Sequence, residues 1–403
     1  MDGETLATTE LIQDKLHLSD AAPRTVQSEI RAMTVACDDI GGVNLAQGVC
    51  DTEPPAIVVE GAIRAIRDGH NIYTRADGIL RLRRAIANQV ARTHGITVDP
   101  EREVMVASGA TGAFQAAIEA LLNPGDEVLL FEPFYGYHAT MLKARKAVPV
   151  PVACTAPDWN VDLDAVRAAI TPKTRAMLIN SPSNPGGKIF TREELEGLAA
   201  IAEEHELFLF TDEIYEHFVY GGAKHVSPAS LPGMRARTIL ISGFSKTFSV
   251  TGWRVGYLIA DARWMPSIAF FHDMLYVCAP SPFQQGVADG VEQLPLSFYT
   301  QLAADHLVKR TLLVDALTDA GLTPHIPNGA YYIMASTNGL QGRNAAEKAR
   351  DLLARTGVAG VAGSAFFRAG SDAGEELLRF CFAKRDADLG EACARLRTLK
   401  PSV

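Results

Sequence analysis

Thr238-Ile239-Leu240-Ile241-Ser242-Gly243-Phe244-Ser245-Lys246-Thr247-Phe248-Ser249-Val250-Thr251-Gly252-Trp253-Arg254 is the stretch from which the rest of the chain can be read. Thr238 to Ile241 is a short apolar run of the kind that forms a buried strand, and Ser242, Gly243 and Ser245 suit a turn better than a helix. Lys246 therefore stands at the mouth of a buried strand, where loss of water favours the neutral amine that attacks a carbonyl carbon. A lysine met alone is ordinarily a solvated surface residue, so this reading needs neighbours of matching chemistry. Ser245-Lys246-Thr247 also mimics the end of a nucleotide P-loop, but that loop requires glycine directly before the lysine, where this chain has Ser245.

Outward from that strand, short apolar runs alternate with helical periodicity, the pattern of an α/β fold with a mostly parallel sheet sandwiched by helices. Seven strands are expected, at 103–107, 127–131, 148–152, 176–180, 207–211, 238–241 and 255–260. The plainest helix is 192–205: Thr191 and Glu194 read as a capping box, and Leu195, Leu198, Ala199, Ile201 and Ala202 mark its buried side. Another helix runs through Ile79, Leu82, Ile86 and Val90. Beyond residue 283 come a long helix through Phe298, Leu302, Leu307 and Leu313, the run 329–333, a helix near 344–356, a strand at 377–383 and a last helix. The expected organisation is a large domain over 47–300 and a smaller α+β domain over 301–403. Residues 1–46 are expected to pack on the smaller domain or on a partner subunit.

Composition narrows the function. The 403 residues are 47% hydrophobic and 21% charged, with a net charge of −9, which argues against nucleic-acid binding and for small-molecule partners. The six cysteines are scattered without a C-x-x-C pair, so they read as reduced thiols. The ten histidines form no His-Glu-x-x-His, so no metal site is expected, and His217 reads as a satisfied core or surface histidine. No run is long and apolar enough for a membrane span, and the start Met-Asp-Gly-Glu lacks the basic and apolar regions of a signal peptide, so a cytoplasmic protein is expected.

Four further segments fall at predicted carboxyl ends of strands, where α/β sheets open their binding crevices. Ser108-Gly109-Ala110-Thr111-Gly112 enters a helix whose first backbone N–H groups can cradle a phosphate, and Arg254 can add a two-pronged positive donor. Phe131-Glu132-Pro133-Phe134-Tyr135-Gly136-Tyr137 offers a ring to stack on a flat cofactor. Asn180-Ser181-Pro182-Ser183-Asn184-Pro185 is a turn presenting the Asn184 amide. Asp212 follows the apolar run 207–211, and a carboxylate buried there is costly unless it meets a cation such as a pyridinium nitrogen. At an effective dielectric of 20, charges ~4 Å apart interact by ~4 kcal/mol, about three pKa units. Such a pairing keeps the ring protonated and able to accept the electron pair of a breaking Cα–H bond.

With Asn184-Pro185, Asp212-x-x-Tyr215, Ser245-Lys246 and Arg254 in this order, the chain resembles the class I/II aminotransferases, the fold-type-I enzymes of pyridoxal 5′-phosphate. The resemblance runs from Asn44-Leu45-Ala46-Gln47-Gly48 to Arg379, with a lean to the branch of kynurenine, glutamine and aromatic aminotransferases. It implies that Lys246 anchors the cofactor covalently and then carries the proton between substrate and cofactor. It implies further that Asp212 pairs the ring nitrogen, Asn184 and Tyr215 the phenolic oxygen, and that Tyr135 stacks on the ring. Gly109, Ala110, Thr111, Ser245 and Arg254 are implied at the phosphate, with Tyr73 lent to it by the other subunit of a homodimer. Gly48, Asn184 and Arg379 are implied at the substrate, Arg379 as the clamp on its α-carboxylate.

The expected reaction moves an amino group from an L-amino acid to a 2-oxo acid by a ping-pong mechanism. A β-eliminating carbon–sulfur lyase is the alternative on the same fold. A ligand-sensing regulator is a further one, weakened because residues 1–46 are neither basic nor helix-turn-helix-like. The side-chain pocket is expected near Tyr73, Tyr135, Tyr137 and Tyr331. With no second arginine in 276–283 for a distal carboxylate, the expected donor is uncharged, aromatic or basic.

Overall fold

Seven apolar runs pair into one sheet, in the order Val104–Ser108, Val255–Ile259, Thr238–Gly243, Phe208–Asp212, Thr174–Asn180, Glu127–Glu132, Val148–Ala153. All neighbours are parallel except those of Val255–Ile259, which runs antiparallel to both. This computed structural model describes residues 29–399; 1–28 of the expected N-terminal segment and 400–403 lie outside the described residues.

The strands are largely apolar because both faces are covered. On one face Val128, Leu130, Leu178, Phe210 and Ile239 join a core with Phe114 and Ile118 of the helix Gly109–Leu121 and Ile268 of Met265–Tyr276. On the other face the alternate residues Leu129, Met177, Ile179 and Leu209 pack with Leu195, Leu198 and Ile201 of the helix Arg192–Glu204. The capping box forms: Glu194 N donates to Thr191 Oγ1 at 3.2 Å, and Thr191 N donates to Glu194 Oε2 at 2.9 Å.

Two strand ends differ from expectation in ways that matter for the site. The strand expected at 207–211 is Phe208–Asp212, so Asp212 is its last residue, in register with Asn180 and Ile241. The strand expected to stop at 241 continues to Gly243, because Ser242 and Gly243 pair with Tyr257 and Gly256 of the strand expected at 255–260, an antiparallel pairing that no local pattern reveals.

A second, antiparallel sheet in the order Val361–Ala362, Leu377–Cys381, Tyr332–Ser336, Pro324–His325 builds the smaller core with the helices Ala345–Thr356 and Asp386–Leu396. Met33 and Cys37 of the first described helix, Glu29–Asp39, enter this core, and Val43–Asn44 pairs in parallel with Val358–Ala359. The helix Leu296–Asp319 is continuous through residue 300. Its Tyr299 packs in a core of the large sheet, whereas Leu313 and Leu317 pack in the smaller one.

A polar cluster is sealed where the helix Leu80–His94 meets the sheet. His94 Nε2 lies 2.6 Å from Glu216 Oε2, and Glu216 Oε1 accepts from Ser242 (2.8 Å) and Tyr257 (3.1 Å). His225 Nε2 lies 2.8 Å from Glu213 Oε2, and His217 Nε2 lies 3.2 Å from Gln89 Nε2, a satisfied core position. Ligating atoms of His94, Glu213 and His225 fall within 4.8 Å of one another, a grouping hidden by their separation in sequence. They are engaged in these ion pairs.

Burial opposes charge on His94, but the hydrogen bond and charge of Glu216 outweigh it and raise the imidazole to about 9. Burial likewise opposes the Glu216 carboxylate, and His217 and His94 together hold its pKa low. Because His94 is raised from 6.5, its stabilisation is complete below pH 6.5 and is lost as pH rises towards 9. Thermal midpoints of wild type and His94→Gln should therefore differ most near pH 6 and converge towards pH 9. The loss at pH 6 should be about 3 kcal/mol, since the variant leaves a buried carboxylate without its partner. A gap that does not narrow with pH would contradict this.

Candidate active site

At the carboxyl ends of the central strands, between the two cores, lies a cavity of about 380 Å³, a size suited to a small-molecule site. Lys246 reaches it from the turn after Thr238–Gly243. Its Nζ donates to Gly48 O at 3.2 Å and lies 6.0 Å from the Tyr331 ring. Burial pulls its pKa below the usual lysine range, and the opposing pull of groups such as Asp212 does not make up for the lost water. Gly48 is fixed as glycine by its neighbours, since a Cβ there would fall 2.0 Å from the Tyr332 hydroxyl.

Asp212 forms the floor. One carboxylate oxygen lies 3.1 Å from His138 Nε2, and the other accepts from Ile214 N at 3.2 Å. His138 comes from the helix Gly136–Ala144 and is held edge-on by Phe114 and Tyr135. Asn180 ties Asp212 to the opposite wall: its Nδ2 donates to Asp212 O at 3.0 Å, and its Oδ1 accepts from Asn184 N at 2.7 Å.

Arg379, only 1% exposed, projects from the small sheet. Its Nη1 donates to Asn184 Oδ1 at 2.9 Å and Nη2 to Ala46 O at 2.5 Å, while the guanidinium lies over Tyr332 (4.4 Å) and Phe366 (4.7 Å). Its Nε is buried without a partner, so the fork is positioned with donor capacity in hand. Tyr215 and Tyr332 share a hydrogen bond at 2.9 Å, and burial holds both phenols protonated, Tyr332 up to about 12.

The opposite end suits an anion. Ala110 and Thr111 occupy the first turn of Gly109–Leu121, where backbone N–H groups have no helical partner. Arg254 sits beside them in a left-handed backbone conformation (φ 55°, ψ 47°) that few non-glycine residues adopt. Its Nη1 donates to Thr251 O at 3.1 Å. Gly109, at φ +71°, lies against this arginine, and a Cβ there would come 2.5 Å from Nη2.

Of the residues expected from sequence, Gly48, Ala110, Thr111, Tyr135, Asn184, Asp212, Tyr215, Ser245, Lys246, Arg254 and Arg379 all line the cavity. Gly109 stands behind Arg254, and Tyr331 stands behind Lys246 with Tyr332 on the wall in its place. Tyr73 is 79% exposed and outside the lining, as is the segment 276–283. Sequence reasoning passed over His138, Asn180, Tyr332 and the trio Ile30, Arg31 and Thr34 of the first described helix. His138 carried a signal, following the Tyr135-Gly136-Tyr137 cluster directly; the others depend on contacts between remote segments.

The sequence profile of the family aminotransferase class I and II matches residues 40–396. The chain belongs to that family. This aminotransferase has a fold-type-I architecture and uses pyridoxal 5′-phosphate. It is 38% identical over 384 residues to the probable N-succinyldiaminopimelate aminotransferase of Mycobacterium tuberculosis, a match spanning 93% of this chain and 96% of the relative. It is 33% identical over 394 residues to a kynurenine–oxoglutarate transaminase of Dictyostelium discoideum, spanning 89% and 91%. The solved structure of N-succinyldiaminopimelate aminotransferase from Mycobacterium tuberculosis superposes with a TM-score of 0.92 at 36% identity, covering 95% of this chain and 100% of that one. These matches support a transaminase, and none of them favours the β-eliminating alternative. The cavity fits the cofactor: a desolvated amine at its centre, a carboxylate on its floor, and an arginine with a helix start at one end.

Proposed function

We propose that one cavity serves both halves of the transamination, with Lys246 as the group that moves the proton. The bound cofactor supplies the carbonyl that receives the amino group and an electron-poor ring that holds the pair released at Cα. Lys246 Nζ, whose pKa burial lowers, would form the covalent anchor and then carry the proton released at substrate Cα. Asp212, oriented by His138, faces the ring nitrogen; Tyr215 and Asn184 donate towards the phenolic oxygen, and Tyr135 stacks on the ring. Ala110, Thr111, Ser245 and Arg254 hold the phosphate, with Gly109 giving Arg254 room. Arg379 takes the α-carboxylate of either substrate in its planar fork, beside Gly48 and Asn184.

The desolvated amine of Lys246 inside this ring of partners carries the proposal. Incubated with an amino acid alone, the enzyme should release about one equivalent of 2-oxo acid per site and stop, then resume when a second 2-oxo acid is added. Continued product release without an acceptor would favour elimination instead.

Arg379→Ala should lower kcat/KM for amino and oxo substrates alike by about 10²-fold or more, the usual cost of truncating one partner of a buried charged pair. An unchanged KM for both would remove Arg379 from the substrate.

The working unit we propose is a homodimer in which Tyr73 reaches the partner's phosphate. Ile72 and Tyr73 (each 79% exposed) precede Ala76, whose O lies 3.0 Å from His272 Nδ1 on the helix that also carries the exposed Phe270, Met274 and Leu275. Such clustered apolar exposure suits a covered face. Mixing the weakly active Tyr73→Ala protein with inactive Lys246→Ala protein should restore activity, because one site of each mixed dimer then has both native residues. No restoration on subunit exchange would contradict a shared site.

The domain division we adopt places 47–300 with the large sheet and 301–403 with the small one, Leu296–Asp319 serving as the bridge. Residues 29–46 go with the smaller domain, supported by the Val43 to Val358 pairing. A cytoplasmic location is supported by six free cysteines; among the described residues no helix is long and apolar enough to cross a membrane.

A further inference from the structure

Among the described residues, five that carry formal charge line the cavity: Arg31, Asp212, Lys246, Arg254 and Arg379. On the proposed reading, on which this inference rests, Lys246, Asp212 and Arg254 are absorbed by the cofactor and Arg379 by the substrate α-carboxylate. Arg31 is left, a cation on the wall that neither the cofactor nor the shared part of the substrate requires.

Its position follows from the helix that carries it. Glu29–Asp39 buries Met33 and Cys37 in the smaller core and turns Ile30, Arg31 and Thr34 to the cavity. Thr34 Oγ1 donates to Ile30 O at 2.9 Å and accepts from Asn44 Nδ2 at 3.2 Å, and Asn44 Oδ1 accepts from Ala46 N at 2.9 Å. Ala46 O is the acceptor that holds Arg379. This chain of hydrogen bonds ties the helix to the α-carboxylate clamp, so Arg31 belongs to the substrate end of the cavity and not to the phosphate end at Arg254. The same lining includes the apolar or aromatic Ile30, Tyr135, Tyr137 and Met141.

We infer that Arg31 is a specificity-determining residue, and that the preferred substrates carry a second carboxylate at the far end of the side chain. The apolar wall covers the stem, and the guanidinium receives the distal anion. Arg31 already interacts within the chain, and a guanidinium with five N–H donors can serve that contact and a carboxylate together. This replaces the uncharged donor expected from sequence. That expectation rested on 276–283, a segment that contributes nothing to this cavity wall.

The test needs no turnover. Calorimetric titration of the cofactor-loaded enzyme with α,ω-dicarboxylates from succinate to pimelate, each against the monocarboxylate of equal length, reads the subsite as a ratio of affinities. At one chain length or more, wild type should bind the diacid at least about tenfold more tightly, the scale of a charge-assisted hydrogen bond. Arg31→Gln should bring that ratio near one, and Arg31→Lys should recover part of it. A ratio near one in wild type at every length, or a ratio unchanged in Arg31→Gln, overturns the inference. The half-reaction with amino acid alone, run on the same protein, separates the two ideas. Its failure with the ratio intact would remove the transaminase reading and leave an anion subsite; its success without the ratio would do the reverse.

Discussion

Lys246→Ala should reduce turnover by about 10⁴-fold or more while the cofactor stays bound non-covalently. Two roles disappear in this variant: the covalent anchor and the base that moves the Cα proton. The amine donates to the Gly48 carbonyl and lies 6.0 Å from the Tyr331 ring, and burial holds the phenols of Tyr215, Tyr331 and Tyr332 protonated, so these neighbours are poor substitutes for it. Arg254, Ala110, Thr111 and Ser245 remain to grip the phosphate, so retention of the cofactor is expected on gel filtration. Stopped-flow measurement of the half-reaction separates lost chemistry from lost binding. Multiple turnovers at near wild-type rate would place the proton transfer elsewhere.

Asp212→Asn should be the next most severe change, slowing the half-reaction by about 10³-fold. The estimate comes from the ~4 kcal/mol by which a carboxylate ~4 Å away stabilises a protonated ring nitrogen at an effective dielectric of 20. The substitution keeps the size of the side chain and its place at the strand end, in register with Asn180 and Ile241. Loss of rate with the fold intact is thus attributable to charge. His138→Asn should give a smaller loss in the same direction, because it leaves the carboxylate in place but removes the contact at 3.1 Å that orients it. If the Asp212 variant kept its rate, the ring would not depend on this carboxylate.

The sheet was legible because strands covered on both faces are written as short, largely apolar runs, and a run was expected at each of the seven positions. The residues at the strand ends were legible for a related reason. A polar side chain soon after an apolar run is conspicuous, and Asp212, Asn184 and Ser245-Lys246 all stand there. What stayed hidden depends on contacts between distant segments. The extension of Thr238–Gly243 needs its antiparallel partner; Tyr332 and Tyr331 are adjacent in sequence, yet only Tyr332 lines the cavity. Arg31 lies on a helix whose own pattern says only that Met33 and Cys37 are buried. The helix Leu296–Asp319 reads as one continuous helical segment, and its sequence cannot say that its two ends join different cores.

Borohydride reduction of the cofactor-loaded wild-type enzyme, followed by peptide mass spectrometry, tests the covalent anchor most directly. The expected result is a single phosphopyridoxyl adduct on the peptide containing Lys246. Reduction that leaves Lys246 unmodified, or that labels a different lysine, would contradict its role.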